Sequence, residues 1–136
     1  VTQLKELSGD LIFPIPVPGQ STAATPDEFT GIIAPFNMKI TAVRWIPKGA
    51  VTANGTNYFT LTLRNRKADA SGTAQPATRS YAATNSSALV PESMTLSATA
   101  ADLNIAAGDH LTVEKLVTAS GLAMPAGTVQ VYAQAR

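Results

Sequence analysis

The sequence predicts an all-β fold: a single β-sandwich, jelly-roll-like, of about eight strands, with an extended Pro-rich N-terminal arm. Three observations predict it. Apolar and polar residues alternate with period two in several short runs. Gly, Pro and Asn-Gly signals punctuate those runs at regular spacing. No stretch has convincing helical periodicity, and the Ala-rich piece Ser97–Asp102 is at most one turn. The boundaries read as an extended arm over 1–27 and a sandwich domain over 28–136.

Within the arm, Pro14, Pro16 and Pro18 alternate with Phe13, Ile15 and Val17. Proline removes the N–H that a central strand needs, so this piece reads as an edge strand or a polyproline-like segment. Its apolar residues predict that it lies on something. That surface is either its own sandwich or a neighbouring subunit.

Glu28–Ala34 reads as a short strand ended by Pro35. Met38–Ile46 is stronger, with Val43 and Trp45 on one face and Ile40, Ala42 and Arg44 on the other. Asn54-Gly55 predicts a positive-φ turn and a hairpin. Tyr58–Arg66 alternates next, with Phe59, Leu61 and Leu63 inward and Tyr58, Thr60, Thr62 and Arg64 outward. Pro76–Ala83 is a weaker, edge-type strand, and Leu89–Leu96 leads into Ala100–Ile105. The segment from Asp102 to the end reads as two paired strands, His110–Ala119 and Thr128–Ala135, with Leu111, Val113, Val129 and Val131 in the core.

The chain has 136 residues, no cysteine, 14% charged residues and a net charge of +1. That length supports one domain with a sizeable core. The absence of cysteine excludes a disulfide framework and Cys-based zinc sites. So weak a basic balance argues against nucleic acid as the main partner, because phosphate binding needs clustered Lys and Arg. No apolar run approaches the ~18 residues of a membrane span, so no membrane partner is expected. The start, VTQLKELSGD, lacks a charged-then-apolar signal pattern. The surface is rich in Ala, Thr, Ser, Gly and Pro, which suits contact with other proteins.

Nothing in the text announces catalysis. His110, the one histidine, sits with Asp109 and Glu114, but strand rise puts His110 and Glu114 about 13 Å apart and turns Asp109 away. It reads as an exposed residue at a strand start. The carboxylates are scattered, and there is no Gly-x-Ser-x-Gly elbow, Walker loop, Gly-x-Gly-x-x-Gly or EF-hand. No enzyme, metal or cofactor is therefore expected. Trp45 reads as core rather than as a sugar-stacking platform. The basic run Arg64, Arg66 and Lys67, with Arg79 beside it on a paired strand, is a candidate contact for an acidic surface.

Four segments resemble the head decoration (cement) proteins of tailed bacteriophages: TAVRWIP at Thr41–Pro47, TLTLRNR at Thr60–Arg66, LSATAADLNIAAGD at Leu96–Asp109 and GLAMPAGTVQV at Gly121–Val131. The resemblance covers roughly 35–131 and leaves out the Pro-rich start. It implies a structural virion protein on the outer surface of a phage head, stabilising the shell by bridging capsid subunits. The implied partner is the major capsid protein; a small, nearly neutral domain gains little from one site, so a homo-oligomer is also expected, a dimer favoured over a trimer. Candidate contacts are Leu11, Phe13, Ile15 and Val17 of the arm and Arg64, Arg66 and Lys67. The competing class is a carbohydrate- or receptor-binding sandwich of a tail fibre or bacterial surface protein, which should display a line of exposed aromatics.

Overall fold

In the computed structural model, residues 9–136 are described. Ten strands are present among them: β1 (Leu11–Val17), β2 (Asp27–Ile33), β3 (Met38–Pro47), β4 (Tyr58–Asn65), β5 (Ala74–Ser80), β6 (Glu92–Ser93), β7 (Thr95–Leu96), β8 (Asn104–Ile105), β9 (His110–Thr118) and β10 (Gly127–Ala135). A 3-10 turn, Ala100–Leu103, precedes β8.

The pairing is nested. β1 pairs with β10, β2 with β9, β3 with β6 and β8, and β4 with β5, all antiparallel. The chain is thus one long hairpin, rolled up so that β10 also meets β3 and β9 also meets β4. One sheet runs β1-β10-β3 and then β6 and β8; the other runs β2-β9-β4-β5-β7. This is jelly-roll topology. The extra strands arise in one place. Where Leu89–Leu96 was expected to lead into Ala100–Ile105, the chain breaks into β6 and β8 on one sheet and β7 on the other.

Two pairings differ from the sequence reading. β9 and β10 are consecutive but lie in different sheets, so they are not partners. β3 and β4 likewise separate. Asn54 takes part through its side chain, whose Oδ1 accepts from the N–H groups of Thr56 (2.9 Å) and Asn57 (2.8 Å). That local turn redirects the chain between sheets with no positive φ at Gly55.

Both inner faces fill one core. Ile15, Met38, Ile40, Val43, Trp45, Phe59, Leu61, Leu63, Leu111, Val113, Val129 and Val131 are all buried. Ile40 was read as outward, and a β-bulge explains the difference. Ala42 pairs with Tyr132 and Ile40 with Ala133, so Thr41 is an extra residue. One inserted residue moves the preceding side chains to the opposite face. Gly31 marks a second bulge on β2, where a Cβ would run into the Leu111 carbonyl oxygen.

Thr62 is on the outward side as read, yet it is fully buried and its hydroxyl has no partner. Its cross-strand neighbours are Glu114 and Thr78. A buried, unpaired hydroxyl is a cost that an apolar group of similar shape removes. Thr62→Val is therefore expected to leave stability unchanged or raise it by up to about 1 kcal/mol in urea unfolding.

The segment expected as an arm has a definite place where it is described; its first eight residues lie outside the described residues. β1 pairs along its whole length with β10. Pro14 and Pro16 occupy alternate positions, so the N–H groups of Phe13, Ile15 and Val17 turn toward β10. The free edge is left poor in donors. Ile15 and Val17 are buried in the molecule's own core, and Phe13 packs against it beside Phe36 at 6.4 Å.

Candidate functional site

Three groups of polar side chains stand out against the apolar core, one on an outer face and two reaching inward. The first is on the outward face of the β2-β9-β4 sheet. Arg64 Nε donates to Glu114 at 2.6 Å. Arg66 forms a two-pronged contact with Glu28, Nε to Oε2 at 2.7 Å and Nη2 to Oε1 at 2.5 Å. Arg66 also lies 3.5 Å from Glu114, and the Thr112 hydroxyl donates to Glu28 at 2.5 Å. The Arg66 hydrogen bond is the main reason that the Glu28 carboxyl falls to a pKa of about 2; burial opposes it, and Thr112 assists. The strand register creates the network: residues 64 and 66 alternate onto the face that carries Glu114 and Thr112.

A shallow groove of about 400 Å³ beside this network is lined by Glu28, Thr30, Arg66, Ala70, His110 and Thr112. His110 is half-buried rather than exposed, and its Nε2 accepts the Gly31 N–H at 3.1 Å. The histidine thereby satisfies a donor that the β2 bulge frees. Asp109 is buried in the preceding turn. Burial alone would raise its pKa, but hydrogen bonds from Asn65 Nδ2 (3.0 Å) and the Ala106 N–H (3.1 Å), with Lys67 nearby at 3.6 Å, hold it below the ordinary carboxylate value.

The expected contacts Arg64, Arg66 and Lys67 are thus engaged within the chain. Each guanidinium or ammonium faces a carboxylate of its own chain: Glu114, Glu28 and Asp109 respectively. The charges cancel locally. Ile15 and Val17 are likewise engaged within the chain, since the core consumes their side chains. Leu11 and Phe13 are half-buried; the exposed apolar side chain of β1 is Ile12.

The second group centres on Arg79, which belongs with Glu92 rather than with the Arg64 run. Arg79 faces inward from β5 and pairs with Glu92 of the opposite sheet at 3.1 Å. It also donates to Thr84, Asn85 and Ser86 and lies 4.0 Å over the Tyr81 ring. Tyr81 accepts from Trp45 Nε1 at 2.9 Å and meets Ser86 Oγ at 2.7 Å. This network ties the loop after β5 to the core. At its tip, Leu89 has φ +64° and is 71% exposed.

The third group is one residue, Lys115. It points inward from β9 with no exposed surface, and its Nζ donates to the carbonyls of Thr22 (3.1 Å) and Ala23 (3.2 Å). A lysine inside a period-two core run was not legible as such. Burial lowers its pKa. The unfolded chain therefore holds this proton more tightly than the folded one, so its contribution to stability rises with pH up to the ordinary lysine value. Unfolding followed across alkaline pH is expected to show that rise in wild type and to lose it in Lys115→Met.

No group of three or more His, Asp or Glu placed to hold a metal occurs among the described residues. No aromatic side chain is exposed: Trp45, Phe59 and Tyr81 are buried, and Phe13, Phe29, Phe36, Tyr58 and Tyr132 are half-buried.

No family model and no curated protein matches the sequence. A chain in the structure of infectious bursal disease virus, Gx strain, is similar over 92% of this chain and 32% of that one, at 10% identity and a TM-score of 0.38. That degree of likeness carries no functional argument, and the all-β sandwich stands on the strand pairing itself.

Proposed function

We propose that the chain is a structural virion protein, without catalytic activity, that binds the outer surface of a phage capsid and stabilises it by bridging capsid subunits. The observation that carries the reading is how the polar chemistry is used. Arg64, Arg66, Lys67 and Arg79 all pair with carboxylates that hold the fold together. What remains for a partner is sheet surface outside these networks, of the kind that packs against other proteins. The four segments resembling decoration proteins support the same reading, as does the jelly-roll pairing. A homo-oligomer, dimer rather than trimer, is part of the proposal, because repeated weak sites gain from effective concentration. The competing carbohydrate-binding reading lacks its platform, since no aromatic ring is exposed.

The test is to purify phage particles carrying this gene, quantify the chain against the major capsid protein, strip it, and add it back. Expected are a fixed ratio to the capsid protein, rebinding, and a higher rupture temperature after rebinding. Absence from particles, or unchanged rupture of reloaded heads, overturns the reading.

A further inference from the structure

We propose that the outward face of the β1-β10-β3 sheet is the docking surface, and that it recognises a carboxylate-rich patch on another protein through a row of three cations, Lys39, Arg44 and Lys48. The inference rests on the virion reading only in naming the capsid as that protein.

The row is a product of the bulge. Strict alternation would place Lys39 on the face opposite Arg44. The extra residue Thr41 resets the register, so Lys39 shares the outward face with Arg44 and, just past the strand end, Lys48. All three are exposed, and none forms an ion pair among the described residues. Outward positions around them are neutral: Thr128, Gln130, Tyr132 and Gln134 on β10, Ser93 on β6 and Asn104 on β8. Glu92 of β6 is engaged by Arg79, Asp102 of the 3-10 turn accepts from the Ser97 hydroxyl, and Asp10 lies at the corner before β1.

The charge is therefore uncompensated here and cancelled on the other sheet. Arg44 lies 5.8 Å from the Tyr132 ring, whose hydroxyl donates to Gln130 at 3.2 Å. This gives the row a stiff, amphipathic centre of residue types that anchor protein interfaces. Strand rise spaces successive cations by about 13 Å. That single file suits scattered carboxylates. A nucleic-acid backbone carries charge every few ångströms, and three cations neutralise too few phosphates for firm binding.

The experiment compares wild type with Lys39→Gln/Arg44→Gln/Lys48→Gln and with a charge-matched control, Thr25→Glu/Ala68→Glu/Thr73→Glu. Circular dichroism checks that each folds. Binding is measured to stripped heads, to immobilised poly-L-glutamate and to duplex DNA over a salt series. The glutamine variant is expected to bind heads and polyglutamate about tenfold more weakly, with a flatter salt dependence, while the control behaves as wild type. Equal binding of wild type and the glutamine variant to both targets overturns the inference and leaves the virion reading standing. If wild type ignores heads, that reading fails, and the polyglutamate arm alone decides the surface. Tighter binding to DNA than to polyglutamate, lost in the glutamine variant, overturns the assignment to an acidic protein.

Discussion

Leu61→Ala is expected to lower the unfolding free energy by roughly 2–5 kcal/mol, toward the upper end, when measured by urea denaturation. Leu61 is fully buried on β4, inside the β2-β9-β4-β5 sheet. Its cross-strand neighbours on the same face are Lys115 and Arg79. Both have their charged ends pinned, Lys115 by the Thr22 and Ala23 carbonyls and Arg79 by Glu92 and the loop after β5. Their stems are poorly free to swing into a new cavity, and the cost of a large-to-small change grows with the void that remains. Leu63 has Val113 and Ala77 beside it instead. Leu63→Ala is expected to cost less than Leu61→Ala. The reverse order would show that pinning of the two cations does not control how the site relaxes.

The second large effect is on acid stability. The folded-state pKa of Glu28 is lowered from an ordinary carboxylate value to about 2, chiefly by the Arg66 hydrogen bond. A lowered carboxylate pKa contributes stability that is full above the ordinary value and is lost as pH falls through the folded one. The window therefore runs from about pH 4.5 down to about 2. The contribution at neutral pH is on the order of 2–3 kcal/mol, allowing for partial exposure of both partners. Glu28→Gln should lower stability near pH 7 and flatten the acid limb, while leaving the molecule folded. An acid limb as steep in the variant as in wild type would assign it to other carboxylates, with Asp109 the first to examine.

Much of the architecture was legible because period-two alternation is a local property of the chain. Phe59, Leu61 and Leu63 alternate without interruption, and all three are core. Legibility failed where the period is broken by one residue. Nothing in MKITAV marks Thr41 as an insertion, so Ile40 was placed outside and Lys39 went unnoticed. Partner choice was also hidden. β9 and β10 read as neighbours in sequence, yet each pairs with strands far away in the chain, and no local pattern records that.

The intrachain partners of the basic candidate contacts were hidden for a related reason. A run of basic residues at 64–67 is conspicuous in text, whereas Glu28, Asp109 and Glu114 are distant in sequence and meet it only through the fold. Conversely, Lys39, Arg44 and Lys48 are not a run and become a row only on the bulged strand. Lys115 was hidden because its apolar stem fits a core position and its ammonium reaches carbonyls on the loop between β1 and β2.

The nested pairing also sets the order of events during synthesis. β1 leaves the ribosome well before its partner in the sheet, β10, which is the last strand of the sandwich in chain order. Until β10 is free, Ile15 and Val17 have no finished interior to enter, and β3 has an unpaired flank. Non-local closure of this kind folds slowly, in roughly milliseconds to seconds for sandwich topologies. During that interval the donor-poor proline edge of β1 offers little for a neighbour's strand to zip onto. The two prolines that leave the finished sheet with a quiet border thus keep that same edge quiet in the waiting chain, while the donors of Phe13, Ile15 and Val17 stay open for the closing strand.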